Sequence, residues 1–255
     1  MNMTIYKENS SRIVFFGTDE FARIVLKRVS DSFFVVKAIT KPVSAKNLDL
    51  PPADLGVVAV YGRILPKRIL EHFPHGILNI HPSLLPKYRG PSPIRTAIAN
   101  GDTETGVTII KLNEEMDAGP IVAQIKYQIS NIKMHSEVRG DLAKLGADLL
   151  IKTIPDYIAG TITLQPQDES QATYTKLITR DDGKIDLEKD SPQIIYNKFR
   201  AYEGWPGIWM LHKNKRVKII DCQLTDDKLE LIQLQPEGKK PMSQKDFING
   251  YGHLN

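Results

Sequence analysis

Short apolar runs, separated by helical spacing or by loops, constrain the fold of this chain more than any other feature. Arg12-Ile13-Val14-Phe15-Phe16 is closed by Gly17-Thr18. A run of this length with that punctuation reads as a buried strand. Asp19 to Val29 follows, with Phe21, Ile24, Val25 and Val29 at helical spacing. Phe33 to Ile39, Leu55 to Val60 and Gly76 to Ile80 read as further strands, and a short helix over Lys67 to Glu71 joins the last two. Strands alternating with helices predict an α/β fold around a parallel sheet. The first turn holds one glycine and not G-x-G-x-x-G, so the dinucleotide fingerprint is absent and no nicotinamide cofactor is expected.

The segment from Thr40 to Asp54 must carry the chain from the second strand to the third. A parallel crossover needs a dozen or more residues, usually including a helix. This one barely meets that length, and Pro42, Pro51 and Pro52 argue against a long helix. It is an unusually short crossover.

The fourth strand ends in the chain's most informative run, Leu78-Asn79-Ile80-His81-Pro82-Ser83-Leu84-Leu85-Pro86. Residues two apart on a strand share a face, so Asn79 and His81 project side by side. Pro82 has no N–H to donate and ends the ladder. The pair is therefore expected where a strand gives way to a loop, the edge at which open parallel sheets bind ligands. A hydrogen-bond donor beside a group that titrates near neutrality suits acyl transfer. The same pair also serves as plain strand-end caps in many folds.

Downstream, Pro91-Ser92-Pro93 opens a helix running to about Asn100. Thr105 to Leu112 and Ile121 to Ile129 read as a strand pair around Asn113–Pro120. That loop carries Asp117, and a carboxylate can hold an imidazole in one tautomer and stabilise its charged form. Ser136 to Ala159 reads as a helix with Leu142, Leu145, Leu149 and Leu150 on one stripe and Pro155 interrupting it. The polar stretch 165–173 reads as a linker. It divides a domain over residues 1–164 from a second over 174–255. In the latter, a helix over Pro192 to Arg200 and strands over Trp209 to His212, Arg216 to Cys222 and Lys228 to Leu234 suggest a small barrel.

Composition narrows the class. The 255 residues suffice for one large domain or two modest ones, and the net charge of +4 permits a polyanionic partner without demanding one. The single cysteine excludes an internal disulfide and a multi-cysteine metal site, and it fits a reducing compartment. No apolar stretch is long enough to span a bilayer, and Met1–Ser10 lacks a signal-peptide core, so a cytoplasmic protein is expected. His72 and His75 read as surface residues and no metal is expected.

Three motifs in order carry a resemblance: Asn79–Pro86, Thr105-Gly106-Val107-Thr108 and Met116-Asp117-Ala118-Gly119. Together they are similar to the folate-dependent formyltransferases. Lys87-Tyr88-Arg89-Gly90-Pro91-Ser92-Pro93-Ile94 narrows the resemblance to the branch acting on initiator methionyl-tRNA. Gln171-Ala172-Thr173-Tyr174, Asp182–Asp186, Arg200–Gly207 and Gln235–Met242 resemble that branch's C-terminal domain.

The resemblance implies a Rossmann-like catalytic domain followed by an OB-like barrel that binds tRNA. It implies transfer of formyl from 10-formyltetrahydrofolate to an amine, with Asn79, His81 and Asp117 catalytic and no metal. Tyr61, Gly62, Ile64, Leu65, Pro66, Ser83, Leu84, Leu85 and Pro86 are the implied folate contacts. Lys87, Arg89, Arg200, Lys213, Lys215, Arg216 and Lys218 are the implied contacts to charged initiator tRNA, and a monomer is expected. The crossover departs from the pattern, since that branch usually carries a longer basic loop there. A sugar-nucleotide amine formyltransferase, a catalytically silent RNA-binding protein and a formyl hydrolase are the competing readings.

Overall fold

A computed structural model of the chain describes residues 11–44 and 48–254. The N-terminal segment Met1–Ser10 and the crossover residues Ala45–Asn47 lie outside the described residues. Along the chain run β1 (Arg12–Phe16), α1 (Glu20–Ser32), β2 (Phe34–Ile39), β3 (Leu55–Val58), α2 (Lys67–Leu70) and β4 (Ile77–His81). Next come α3 (Pro93–Ala99), β5 (Glu104–Lys111), β6 (Ile121–Gln128), α4 (His135–Ile158) and α5 (Pro192–Ala201). Then follow β7 (Ile208–His212), β8 (Lys215–Thr225), β9 (Lys228–Pro236), β10 (Met242–Ser243) and α6 (Gln244–Tyr251). The described residues form two compact units: those up to Pro93, Glu104–Gln128 and Arg139–Thr175 in one, and Ile94–Thr103, Ile129–Val138 and those from Lys176 onward in the other.

The first unit holds a six-stranded sheet in the order β2-β1-β3-β4-β5-β6. β2, β1, β3 and β4 are mutually parallel. β5 runs antiparallel to β4, and β6 to β5. The sheet is thus mixed, where a parallel one was expected. The loop joining β5 to β6 is far too short for a parallel crossover, so those two strands can only pair antiparallel.

The two faces of this sheet are covered differently. On one, Val14, Phe16, Ile39 and Ile77 form a cluster with Tyr61, Leu65, Ile69 and Phe73. Leu50 and Ala53 of the crossover belong to the same cluster, with Leu48 packed against it. Among the described residues no helix lies between Ile39 and Leu55. The crossover thus covers the sheet with side chains on irregular backbone, each fully buried aliphatic worth about 1.5–3 kcal/mol. The opposite face meets α1 and α4. The Asp19 carboxylate caps α1 by accepting from the Ala22 amide at 3.1 Å. α4 approaches so closely that a Cβ on Gly146 would lie 2.7 Å from Ile80 Cγ2. Ile80 therefore points to α4, and its neighbours Asn79 and His81 point to the other face.

Pro155 does not interrupt α4, which continues to Ile158. The proline falls in the final turn, where the backbone bond it forfeits is one of the last. The segment 165–173 is no free linker. Gln165 exchanges backbone hydrogen bonds with Ile121, and Thr173 bonds to Pro86 and Arg89.

The second unit carries a four-stranded antiparallel sheet, ordered β10-β9-β8-β7. Ile208, Met210, Val217, Ile219, Leu234 and Phe247 are buried in it. The sequence reading missed α6, whose signal is Ser243-x-x-Asp246: the serine hydroxyl accepts from the Asp246 amide at 3.1 Å.

Candidate active site

Asn79 and His81 lie at the C-terminal end of β4, 8% and 4% exposed. Among the described residues the Asn79 carboxamide has no hydrogen-bond partner, which leaves an amide donor open at a strand end. His81 is fully committed on one side. Its Nε2 lies 2.9 Å from the Tyr88 carbonyl oxygen. A carbonyl only accepts, so Nε2 carries the hydrogen and Nδ1 is the nitrogen that gains or loses a proton. Nδ1 faces Asp117 Oδ1 at 3.6 Å.

Asp117 reaches that position by an indirect path. β5 is antiparallel to β4, with Lys111 opposite Leu78. The loop after β5 therefore leaves the sheet beside the start of β4, about 10 Å from His81 along the strand. It must turn back over the sheet face to bring the carboxylate to the imidazole. Asp117 sits in the left-handed region, at φ 52°. Its Oδ2 accepts from the Gly90 amide at 2.8 Å. Gly90 is required there: its φ is 106°, and a Cβ would lie 2.8 Å from the Thr175 carbonyl oxygen.

The loops after β3 and β4 leave the same sheet edge, because those strands are parallel. The loop before Asp117 starts from the opposite edge, so the three expected folate loops do not share one. Not every expected folate residue offers its side chain. Tyr61 and Leu65 are buried in the core cluster. The Ser83 hydroxyl donates to Lys87 O at 2.6 Å. Leu85 is buried, its amide bonded to Thr108 Oγ1 at 3.1 Å. Thr108 donates in turn to Ser83 O, and Gln124 to Leu85 O, fixing the loop after β4. Ile64, by contrast, is 85% exposed beside Gly62 and Pro66, and Met116 is exposed next to Asp117. Exposed apolar side chains on the loops after β3 and before Asp117 suit contact with a flat heterocycle.

Two expected tRNA contacts are structural. Arg89 is 1% exposed. It donates to Glu169 from both terminal nitrogens at 2.6 and 2.9 Å, and to the Gln167 carboxamide oxygen at 2.9 and 3.1 Å. Glu169 holds the guanidinium above its ordinary pKa, and is itself held below the usual carboxylate range by Arg89. No donor remains for a phosphate. Arg200 is 3% exposed and donates to Ser130 O, Lys133 O and Asn197 Oδ1. Burial lowers its pKa.

The remaining candidates are accessible. Lys87 is exposed, its ammonium 4.7 Å above the Tyr88 ring. Lys215 and Lys218 are exposed, and Arg216 stacks 4.0 Å over Trp209. Lys213 donates to Tyr251 O at 2.6 Å. Among the described residues no group of three or more His, Cys, Asp or Glu could hold a metal ion. Nor is any helix there long and apolar enough to cross a membrane.

Residues 11–154 match the family model "Formyl transferase", and residues 177–230 match "Formyl transferase, C-terminal domain". The methionyl-tRNA formyltransferase of Roseiflexus sp. (strain RS-1) is 39% identical over 238 residues, covering 84% of this chain and 73% of that protein. The one from Roseiflexus castenholzii is 37% identical over 302 positions, covering 94% of this chain and 96% of that protein. An alignment longer than the chain means the relative carries segments that this chain lacks. HypX from Aquifex aeolicus, solved with tetrahydrofolic acid, matches 95% of this chain and 48% of its own with a TM-score of 0.74. At 17% identity that likeness is one of fold.

Proposed function

This chain belongs to the formyl transferase family, and from that premise we propose that it transfers a formyl group from 10-formyltetrahydrofolate to the amino group of methionyl-tRNA. One observation carries the reading. His81 Nδ1 faces Asp117 at 3.6 Å, on the strand face that also presents the open Asn79 carboxamide.

The folate supplies the formyl carbon as electrophile. Asn79 donates to the formyl oxygen, whose negative charge grows as the amine nitrogen attacks. One such donor is typically worth about 10²–10³ in rate. His81 Nδ1 takes the proton released by the attacking amine and returns it to the folate nitrogen as the bond from that nitrogen to the formyl carbon breaks and tetrahydrofolate leaves, and Asp117 steadies the imidazolium in between. Tyr88 O keeps the ring oriented throughout. Gly62, Ile64, Pro66, Leu84 and Pro86 bind the folate by side chain or shape. Tyr61, Leu65, Ser83 and Leu85 contribute backbone.

The second unit is the tRNA-binding domain, built on an OB-like barrel that includes the four-stranded sheet. It uses Lys213, Lys215, Arg216 and Lys218, with Lys87 contacting tRNA from the catalytic unit. Its partner is charged initiator tRNA in the cytoplasm. The catalytic domain extends through about residue 164, with the strap over 165–173 bound to it.

The test is a formylation assay with labelled 10-formyltetrahydrofolate, offering methionyl-tRNA and amino-sugar nucleotides in parallel. Label is expected in methionyl-tRNA. Label confined to the sugar nucleotides would replace the acceptor, and release of formate alone would replace the reaction.

A further inference from the structure

The loop that carries Asp117 is bonded to a side chain from a distant part of the sequence. Gln167 Nε2 donates to the Asp117 carbonyl oxygen at 2.8 Å and to the Gly119 carbonyl oxygen at 2.7 Å. Its Oε1 accepts from Arg89. The orientation of this carboxamide is forced. A guanidinium only donates, so the amide oxygen must face Arg89, and the amide nitrogen must face the loop. Arg89 is fixed by Glu169 and by backbone bonds on both sides, to Thr173 O and from Thr175. The loop needs such a clamp. It turns back over the sheet, places Asp117 at positive φ, and packs Gly119 so tightly that a Cβ would lie 1.9 Å from Lys111 O.

We propose that Gln167 is a positioning residue for formyl transfer: it ties the Asp117 loop to the buried Arg89 guanidinium, itself held by Glu169, and thereby fixes the Asp117 carboxylate at His81 Nδ1. The proposal rests on the reading of Asp117 given above. Gln167 touches no reacting atom, and its effect on rate passes wholly through Asp117.

The substitution Gln167→Glu separates the two halves of the clamp. A carboxylate still accepts from Arg89, so the buried cation keeps its partner. It cannot donate to two carbonyls, so the loop is released. A shift of about 1 Å in a reacting group costs about 10² in rate. Steady-state kinetics on the full chain, with 10-formyltetrahydrofolate and methionyl-tRNA, should show kcat lowered about that much in Gln167→Glu, with KM for tRNA unchanged.

The decisive measurement is a cycle with Asp117→Ala. In that background Gln167→Glu should cost nothing further. An equal loss in both backgrounds would overturn the proposal. So would full activity of Gln167→Glu beside an impaired Asp117→Ala, which leaves the reading of Asp117 standing. Full activity of Asp117→Ala would remove that reading and the tether with it. Should Gln167→Glu fail to fold, Gln167→Met keeps the volume, removes both donors and enters the same cycle.

Discussion

His81 Nε2 lies 2.9 Å from the carbonyl oxygen of Tyr88, and this one contact decides which nitrogen of the ring can do chemistry. Tyr88 follows the Ser83–Lys87 turn and sits at positive φ, 63°. The turn after β4 thus folds its own backbone onto the imidazole that ends β4. With Nε2 holding its hydrogen on Tyr88 O, Nδ1 is the nitrogen left to exchange a proton, and it is the one that Asp117 faces.

His81→Ala and Asp117→Ala should each lower kcat by at least about 10², the usual size of general acid–base assistance. Asn79→Ala should cost about 10²–10³, as for other single oxyanion donors. The three effects should not sum, because the residues act on one step. Steady-state formylation rates with thermal midpoints for each variant check this. Wild-type kcat in either His81→Ala or Asp117→Ala, with the fold intact, would sink the mechanism.

Much of this site was legible in the sequence, and the reason is local. The two-residue period of a strand puts Asn79 and His81 on one face without any tertiary knowledge. The reach from Asp117 to His81 was legible only through the family's motifs. Nothing local says that a loop leaving the far edge of the sheet turns back by about 10 Å. Arg89 and Arg200 read as phosphate contacts because a basic side chain looks alike in sequence whether it meets phosphate or acceptors within the protein. Glu169 lies far from Arg89 in sequence, Ser130 and Lys133 meet Arg200 through backbone carbonyls, and Asn197 looks like an ordinary helix neighbour. The strap over 165–173 looked like a linker for the same reason. Its polar residues bond to protein, and composition does not distinguish that from bonding to water.

Arg200 offers a direct contrast between a structural and a nucleic-acid role. Arg200→Leu strips donors from two backbone carbonyls and the Asn197 amide oxygen in a buried site. The loss in stability should be on the order of 2–5 kcal/mol. Urea unfolding measures it. The salt dependence of tRNA binding should keep its slope, since no phosphate contact is lost. A flattened slope with unchanged stability would return Arg200 to the tRNA interface.

Cys222 gives a prediction in pH. Burial, reinforced by Asp221, pushes its thiol up to about 12 from an ordinary value near 9. The folded chain keeps the proton where the unfolded chain has released it. Stability from this group is therefore complete below about pH 9 and falls as the pH rises toward 12. Denaturant midpoints of wild type and Cys222→Ala from pH 8 to 11 should diverge, with wild type falling faster. Iodoacetamide should label the thiol slowly in the native protein and rapidly in denaturant. Parallel midpoints and fast native labelling would place the thiol in solvent.

The hairpin of β7 and β8 presents to solvent the positive charge that the buried arginines do not. Arg216 pairs across the sheet with Leu211, and Lys218 with Trp209, which puts both on one face. Lys213 spends its ammonium on Tyr251 O, so its removal should matter least of the four. If the others contact phosphates, each loss should flatten the dependence of log K on log salt by about 0.9 for duplex and about 0.7 for single strand. The short crossover sharpens the test. With Thr40–Asp54 too brief to form a long basic loop, this sheet should carry a larger share of tRNA affinity. Folate binding should be unaffected, because none of the four lies in the unit that holds Asn79. The measurement is tRNA affinity against salt for wild type, Lys213→Ala and the triple variant K215A/R216A/K218A. A triple variant with the wild-type slope would make this cluster a solvated face, and would leave tRNA recognition to the unit containing Lys87.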